Sequence, residues 1–131
     1  MVLNNLATIL ARKHEYMAAL ERLAEALALQ RQAGSLTGQF TCLDTWAAIT
    51  CAIARCEMGV RVFSAVGVWR DAFMAPRLLC DQAEYELALQ RANSELEPSV
   101  FQSAWDNGRT MTLEEAMAYT EREILRFKRE A

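Results

Sequence analysis

Tyr16-Met17-Ala18-Ala19-Leu20 opens the stretch that decides the fold, because its pattern of small and large apolar residues returns 40 positions later. Within each copy the apolar residues follow the spacing of an α-helix. A repeat of this length with helical periodicity is typical of stacked helical hairpins, which present surfaces and seldom perform chemistry. The matched pairs are Ala7 and Ala47, Ala19 and Gly59, Leu23 and Phe63, and Ala26 and Val66.

The composition favours a single all-α domain covering residues 1–131. The chain is 53% apolar and 24% charged, with five glycines and two prolines. A chain of this size buries a core without disulfides. Its net charge of −3 argues against a nucleic-acid groove, because neutralising phosphates requires a clustered excess of lysine and arginine. We therefore expect no direct contact with nucleic acid.

The four cysteines, Cys42, Cys51, Cys56 and Cys80, do not form a metal-binding pattern. They lack CxxC spacing, and His14 is the only histidine in the sequence. Because they lie among apolar helical residues, we expect small core groups in a reducing compartment. The most apolar stretch without a charge, residues 45–54, is shorter than the ~20 residues that cross a bilayer. The expectation is a cytoplasmic protein with no metal, no cofactor and no membrane contact.

Seven helices are predicted from apolar spacing and stop signals. The first hairpin covers residues 1–34, with helices at about 2–13 and 16–33 and with Gly34 as the stop. The second hairpin covers residues 38–75 and is ended by Pro76. Its internal turn near residues 54–56 is poorly marked, so one long kinked helix remains an alternative. The predicted inner face is Leu43, Trp46, Ala47, Thr50, Gly59, Val62, Phe63, Val66, Trp69 and Phe73.

Residues 77–131 are predicted to form helices that cap the open end of the stack. A fifth helix at about 77–96 is followed by a sixth at about 99–107, with Gly108 as a left-handed stop. Thr112 and Glu115 form a capping box that starts the seventh helix, which runs to about residue 129. Its predicted buried residues are Leu113, Ala116, Met117, Thr120, Ile124 and Phe127. For the fifth helix the apolar positions are Tyr85, Ala88, Leu89, Ala92 and Leu96.

The first 34 residues resemble a tetratricopeptide repeat. Leu3, Leu6, Ala7 and Leu10 match the pattern of the first helix, and Tyr16, Ala19, Leu23 and Ala26 match that of the second. Small residues at these positions permit two helices to approach closely, while leucines fill the space beside them. In the second copy Trp46, Gly59 and Val66 replace the usual residue types. The resemblance implies a TPR-like right-handed superhelix of antiparallel helical hairpins.

The last third is similar to the closing segment of the helical-repeat region in large LuxR-type regulators and the related signal-transduction ATPases of bacteria. The resemblance is carried by Phe101, Ala104-Trp105, Gly108-Arg109, Met111 and Leu113-Glu114-Glu115-Ala116. In those regulators such a region lies beside an ATPase module and a DNA-binding domain, and it senses an inducer or holds a partner. The sequence has no GxxxxGK[ST] loop, so no ATP hydrolysis is expected.

A concave partner-binding face is the first candidate site that the tetratricopeptide resemblance implies. The matching positions are Asn4, Asn5, Thr8 and Arg12 in the first copy and Asp44, Thr45 and Ala48 in the second. The Asn5 carboxamide can donate to and accept from a peptide backbone at once. The Arg12 guanidinium can hold a carboxylate with two bonds. Both side chains also fit a solvated helix face, and that alternative stays open.

A small-molecule pocket is the second candidate. Trp69, Tyr85 and Trp105 would enclose an apolar ligand between the second hairpin and the last helices, although both tryptophans also fit the core. Glu114 and Glu115 diverge as neighbours on a helix, and no nucleophile, base or metal set is found, so no enzyme is expected. With two hairpins and a cap, one flank of the stack is expected to remain apolar, which predicts a homodimer.

Overall fold

The computed structural model describes residues 15–130, and within that range the chain forms six α-helices and no strand. The all-α class is therefore confirmed. The predicted helix over residues 2–13 lies outside the described residues, and the right-handed superhelix stays a prediction. In chain order the helices are α1 (Tyr16–Gln32), α2 (Leu36–Ala52), α3 (Cys56–Ala72), α4 (Leu79–Glu95), α5 (Pro98–Arg109) and α6 (Leu113–Glu130).

The first three helices end in the same way. Each has 17 residues, and each is followed by one left-handed residue: Gly34, Ala54 or Met74. These residues are 20 positions apart, so the 40-residue repeat of the sequence consists of two units of one helix and one turn. The next amide donates to the carbonyl five residues earlier, which is the Schellman motif. The bonds are Ser35 to Gln30 (3.0 Å), Arg55 to Thr50 (2.8 Å) and Ala75 to Arg70 (2.9 Å).

Two separate helices, α2 and α3, make up the second hairpin, so the alternative of one kinked helix is wrong. Helix α2 begins at Leu36, two residues before the predicted start, because the Ser35 hydroxyl caps it by accepting from the Gly38 amide at 3.1 Å. Helix α3 ends at Ala72, four residues before Pro76. The left-handed turn at Met74, and not the proline, therefore ends the helix.

Gly59 permits the close contact between α2 and α3. A Cβ at this position would lie 2.6 Å from the Ala47 carbonyl oxygen, closer than side chains approach backbone. Ala19 on α1 is also fully buried. Gly59 therefore has the role expected of a small residue, which is to permit two helices to approach closely. Ala7 lies outside the described residues.

The predicted inner face of the second hairpin is largely correct. Eight of its ten residues are buried, but Trp69 is half-buried and the prediction is wrong for Phe73, which is exposed. Phe73 lies at the end of α3, where the turn carries its ring out of the core. The eight buried residues are Leu43, Trp46, Ala47, Thr50, Gly59, Val62, Phe63 and Val66.

Helix α5 packs on α3, and α6 returns to contact α1, α2 and α3. The predicted left-handed stop at Gly108 is wrong, since this glycine lies inside α5. A Cβ there would overlap the Arg61 carbonyl oxygen of α3, so the glycine serves helix contact and not chain reversal. The next residue after α5, Thr110, keeps a right-handed conformation.

The start of α6 has the predicted capping box. The Thr112 amide donates to Glu115 Oε1 at 2.9 Å, and the Glu115 amide donates to Thr112 Oγ1 at 3.1 Å. Five of the six predicted core residues of α6 are buried, and Leu113 is half-buried. On α4 only Ala88 and Ala92 of the five predicted positions are fully buried.

Three cysteines, Cys42, Cys51 and Cys56, are buried free thiols, as expected, but Cys80 is exposed. Burial raises the pKa of Cys51 to about 11 and that of Cys42 to about 12. These two thiols are protonated at neutral pH. No helix among the described residues has the length and apolar character needed to cross a membrane.

Candidate functional site

The described part of the predicted concave face is mostly closed. Asp44 is buried, and Thr45 and Ala48 are half-buried. The Thr45 hydroxyl donates to the Thr41 carbonyl oxygen of its own helix at 3.0 Å. Asp44 is therefore not the open surface side chain that the sequence predicts. The other predicted residues of this face, Asn4, Asn5, Thr8 and Arg12, lie outside the described residues.

Asp44 lies between two arginines, and the three residues form a buried ion triad. Asp44 Oδ2 accepts from Arg70 Nε at 3.1 Å and from Arg77 Nε at 2.9 Å, while Oδ1 accepts from Arg77 Nη2 at 3.0 Å. All three side chains are about nine-tenths buried or more. The triad joins α2, α3 and the segment that leads into α4.

The electrostatics of the triad are those of a buried charge network. Burial raises the pKa of the Asp44 carboxyl above its ordinary value, and the Arg77 and Arg70 guanidiniums oppose that effect. Because arginine does not deprotonate in proteins, both guanidiniums keep their positive charge beside Asp44. Removing one partner from such a network leaves an uncompensated buried charge, which is strongly destabilising.

Four large apolar side chains are exposed around the turn between α3 and α4. Met74 is 88% and Leu79 91% exposed, with Leu78 at 70% and Phe73 at 51%. We call these four residues the apolar turn. Large apolar residues that are exposed singly are common on protein surfaces, but four of them within residues 73–79 favour an interaction site.

Met74 incurs two costs at once. Its backbone is left-handed, with φ of 52°, a conformation that is unfavourable for residues other than glycine by ~1–2 kcal/mol. Its apolar side chain is also left in water. At the equivalent position of the first turn the chain has Gly34, which avoids both costs. Left-handed residues other than glycine persist only where the surrounding structure holds them, and they are often found at functional sites.

The backbone of the apolar turn is held in place by the ion triad. Arg70 Nη1 donates to the Ala75 carbonyl oxygen at 2.9 Å, and the Ala75 amide donates back to the Arg70 carbonyl oxygen. The Phe73 ring stacks on Trp69 with centroids 6.0 Å apart and contacts Phe40 at 6.2 Å. The turn therefore presents exposed apolar side chains on a fixed backbone.

A groove of about 350 Å³ lies beside the apolar turn and is lined by residues of α3, α4 and α5. It brings together two members of the predicted pocket, Tyr85 and Trp105, but not the third. Trp69 instead stacks on Phe73 and donates from Nε1 to the Met111 carbonyl oxygen at 3.4 Å. We call this space the arginine groove, because Arg70, Arg77 and Arg109 line it. Its charged lining differs from the apolar pocket that the sequence predicts.

Arg77 is the best-fixed side chain of the arginine groove. Its guanidinium carbon lies 3.8 Å from the centre of the Tyr85 ring, and Tyr85 packs edge-to-face on Phe63 at 5.0 Å. Burial raises the pKa of the Tyr85 hydroxyl, against the opposing effect of Arg77. Cation–π stacking and the bidentate bond to Asp44 together leave this arginine one orientation.

Sequence reasoning missed the apolar turn. Leu78 and Leu79 follow Pro76-Arg77 and fit the pattern of a helix start. Position 74 is a methionine, so no glycine indicates the left-handed turn. The usable signal was the apolar character of residues 73–79 around a proline. Among the described residues no group of three or more His, Cys, Asp or Glu side chains is placed to hold a metal ion.

Comparison with known proteins adds no assignment, since no family model, curated protein or solved structure gives a significant match to the chain.

Proposed function

We propose that this chain is a non-catalytic, TPR-like module that binds a protein partner through its apolar turn. The observation that carries the proposal is the exposure of Phe73, Met74, Leu78 and Leu79 on a backbone fixed by the ion triad. A surface that is rigid before binding loses little conformational entropy when its partner docks. Exposed apolar side chains on a fixed backbone favour binding of a partner and do not stabilise the fold.

The partner proposed is a component of bacterial transcriptional control. The resemblance of residues 101–116 to the closing segment of LuxR-type regulators supports this role. In such regulators a neighbouring ATPase or DNA-binding domain is the natural occupant of an apolar surface on the helical region. The open, arginine-lined groove favours a polypeptide over the enclosed apolar ligand of the alternative hypothesis.

A photo-crosslinking residue placed at position 79 in the producing cell tests the proposal. Position 125 is the matched control, because Leu79 and Leu125 are both exposed leucines on helices. We expect one discrete adduct from position 79 and none from position 125. The purified partner should then bind the unmodified chain, and the Met74→Ser, Leu79→Ser double variant should weaken that binding by about tenfold or more.

Three outcomes would count against the proposal. Equal adducts at both positions, or none at either, would remove the apolar turn as a specific site. An adduct with a second copy of the chain would instead assign this surface to the predicted homodimer. Leu125→Ser affecting partner affinity as much as the double variant would also contradict it.

A further inference from the structure

We infer that the arginine groove binds carboxylate side chains of the partner segment, so that the partner is acidic as well as apolar. This inference rests on the proposed function and adds the chemistry of the partner. The groove and the apolar turn are adjacent, since Pro76 and Arg77, which lie between Met74 and Leu78 in the chain, line the groove. One extended partner segment is therefore expected to contact both.

The local charge of the groove opposes that of the whole chain. Arg70, Arg77 and Arg109 line it together with Asp71, and Asp44 neutralises one charge from behind. The site keeps an excess positive charge on a chain whose net charge is −3. Such a local excess of positive charge attracts an acidic segment.

Arg77 offers a donor that is already oriented. Its Nε and Nη2 atoms bind Asp44, while Nη1 has no hydrogen-bond partner among the described residues. The side chain is about nine-tenths buried and stacked on Tyr85. A buried guanidinium held in this way binds a carboxylate with little loss of side-chain entropy.

Arg109 of α5 supplies the second donor that lines the groove. It is exposed and forms no ion pair with any residue in the range 15–130. Its helix is fixed on α3, because the Ser64 hydroxyl donates to the Trp105 carbonyl oxygen at 2.6 Å. Trp105, one helical turn before Arg109, gives the groove an aromatic surface beside the charge.

Asp71 decides between carboxylate and phosphate. With Asp71 counted, three arginines less the two aspartates leave the groove one net positive charge, which one carboxylate neutralises and a phosphate dianion exceeds. The Asp71 carboxylate has no hydrogen-bond or ion-pair partner among the described residues, so its charge acts on the ligand directly. The charge of the groove therefore favours aspartate and glutamate side chains.

Selection of random peptides displayed on phage against the wild-type chain tests the inference. We expect enriched peptides that combine Asp or Glu with large apolar residues. Replacing the acids of the best synthetic peptide by Asn or Gln should weaken its binding by about tenfold. Arg109→Gln should weaken the binding of the acidic peptide by a similar factor. The same substitution should not weaken the binding of the neutral peptide further. Arg91→Gln, an exposed arginine outside the groove, should leave the affinity unchanged.

The outcomes separate this inference from the proposed function. Selected peptides that are apolar but not acidic, and that depend on Met74 and Leu79, would overturn the inference and retain the proposed function. Equal losses for Arg109→Gln and Arg91→Gln would overturn it as well. Displacement of the peptide by inorganic phosphate at lower concentration than by acetate would contradict the carboxylate assignment. Failure to enrich any peptide would overturn both.

Discussion

The turn between α2 and α3 and the turn between α3 and α4 have the same backbone, but they expose different side chains. Their left-handed residues, Ala54 and Met74, have φ of 61° and 52°, and each turn closes with the same bond to the carbonyl five residues back. In the first turn Arg55 lies 4.9 Å over the Phe127 ring of α6. In the second turn Met74 is almost fully exposed.

The two turns show that the same left-handed backbone conformation serves two purposes. At the α2–α3 turn it connects two helices and exposes only a small alanine, while the next residue, Arg55, packs on Phe127 of α6. At the α3–α4 turn it holds an apolar side chain out in water, and a buried ion triad fixes it there. Fixation of an exposed surface is of use for binding, because preorganisation reduces the entropy lost on docking.

Removal of the Asp44 carboxylate should have the largest effect on stability, and it should affect only one of the two turns. In Asp44→Ala the buried Arg70 and Arg77 guanidiniums lose their shared partner, so we expect the free energy of unfolding to fall by about 3–5 kcal/mol. Urea denaturation followed by circular dichroism measures the change. The α3–α4 turn should also lose its fixed backbone, whereas the α2–α3 turn keeps its own contacts.

Asp71→Ala is the matched control for Asp44→Ala, because Asp71 is an exposed aspartate beside the same turn. It should change the free energy of unfolding by less than about 0.5 kcal/mol. Equal effects of the two substitutions would show that the triad does not stabilise the fold.

Gly59→Ala should destabilise the contact between α2 and α3 without altering the α3–α4 turn. The added Cβ would meet the Ala47 carbonyl oxygen, and such overpacking costs about 1–3 kcal/mol. Gly67→Ala, in the same helix with nothing within 4 Å of its added Cβ, should instead stabilise the chain by about 0.5–1 kcal/mol. Thermal unfolding of both variants should therefore shift in opposite directions, and a shift in the same direction would contradict the close contact.

Replacing the two left-handed residues by glycine should change the free energy of unfolding by the smallest amount. The two variants should differ in partner binding. Relief of the left-handed strain exceeds the added entropy of the unfolded chain, so Ala54→Gly and Met74→Gly should each stabilise by about 0.5 kcal/mol. Only Met74→Gly should also weaken partner binding, as measured by titration calorimetry. Loss of binding in Ala54→Gly would mean that both turns act in recognition.

The fold was predictable where local chemistry decides it. Gly34 signals a left-handed stop, and the pair Thr112 and Glu115 signals a helix start, and both are found in the structure. Ala54 and Met74 form the same turn without glycine, because the contacts of the neighbouring helices impose it. No local pattern could reveal them.

The candidate site was less predictable, because it depends on contacts between distant residues. Asp44 looked like a surface residue of α2 until Arg70 and Arg77, 26 and 33 residues later, enclosed it. Gly108 looked like a stop because glycine at a helix end is common, but it faces the Arg61 carbonyl of another helix. A single sequence does not predict the role of a charged residue or a glycine when its contacts lie on another helix.

Hydrogen exchange at the Ala75 amide tests most directly whether the apolar turn is rigid. This amide and the Arg55 amide make equivalent bonds of 2.9 and 2.8 Å, so one serves as the reference for the other. The account predicts that both exchange at least about a hundredfold more slowly than in an unstructured peptide. Unprotected exchange at Ala75 beside a protected Arg55 would contradict a preorganised docking surface.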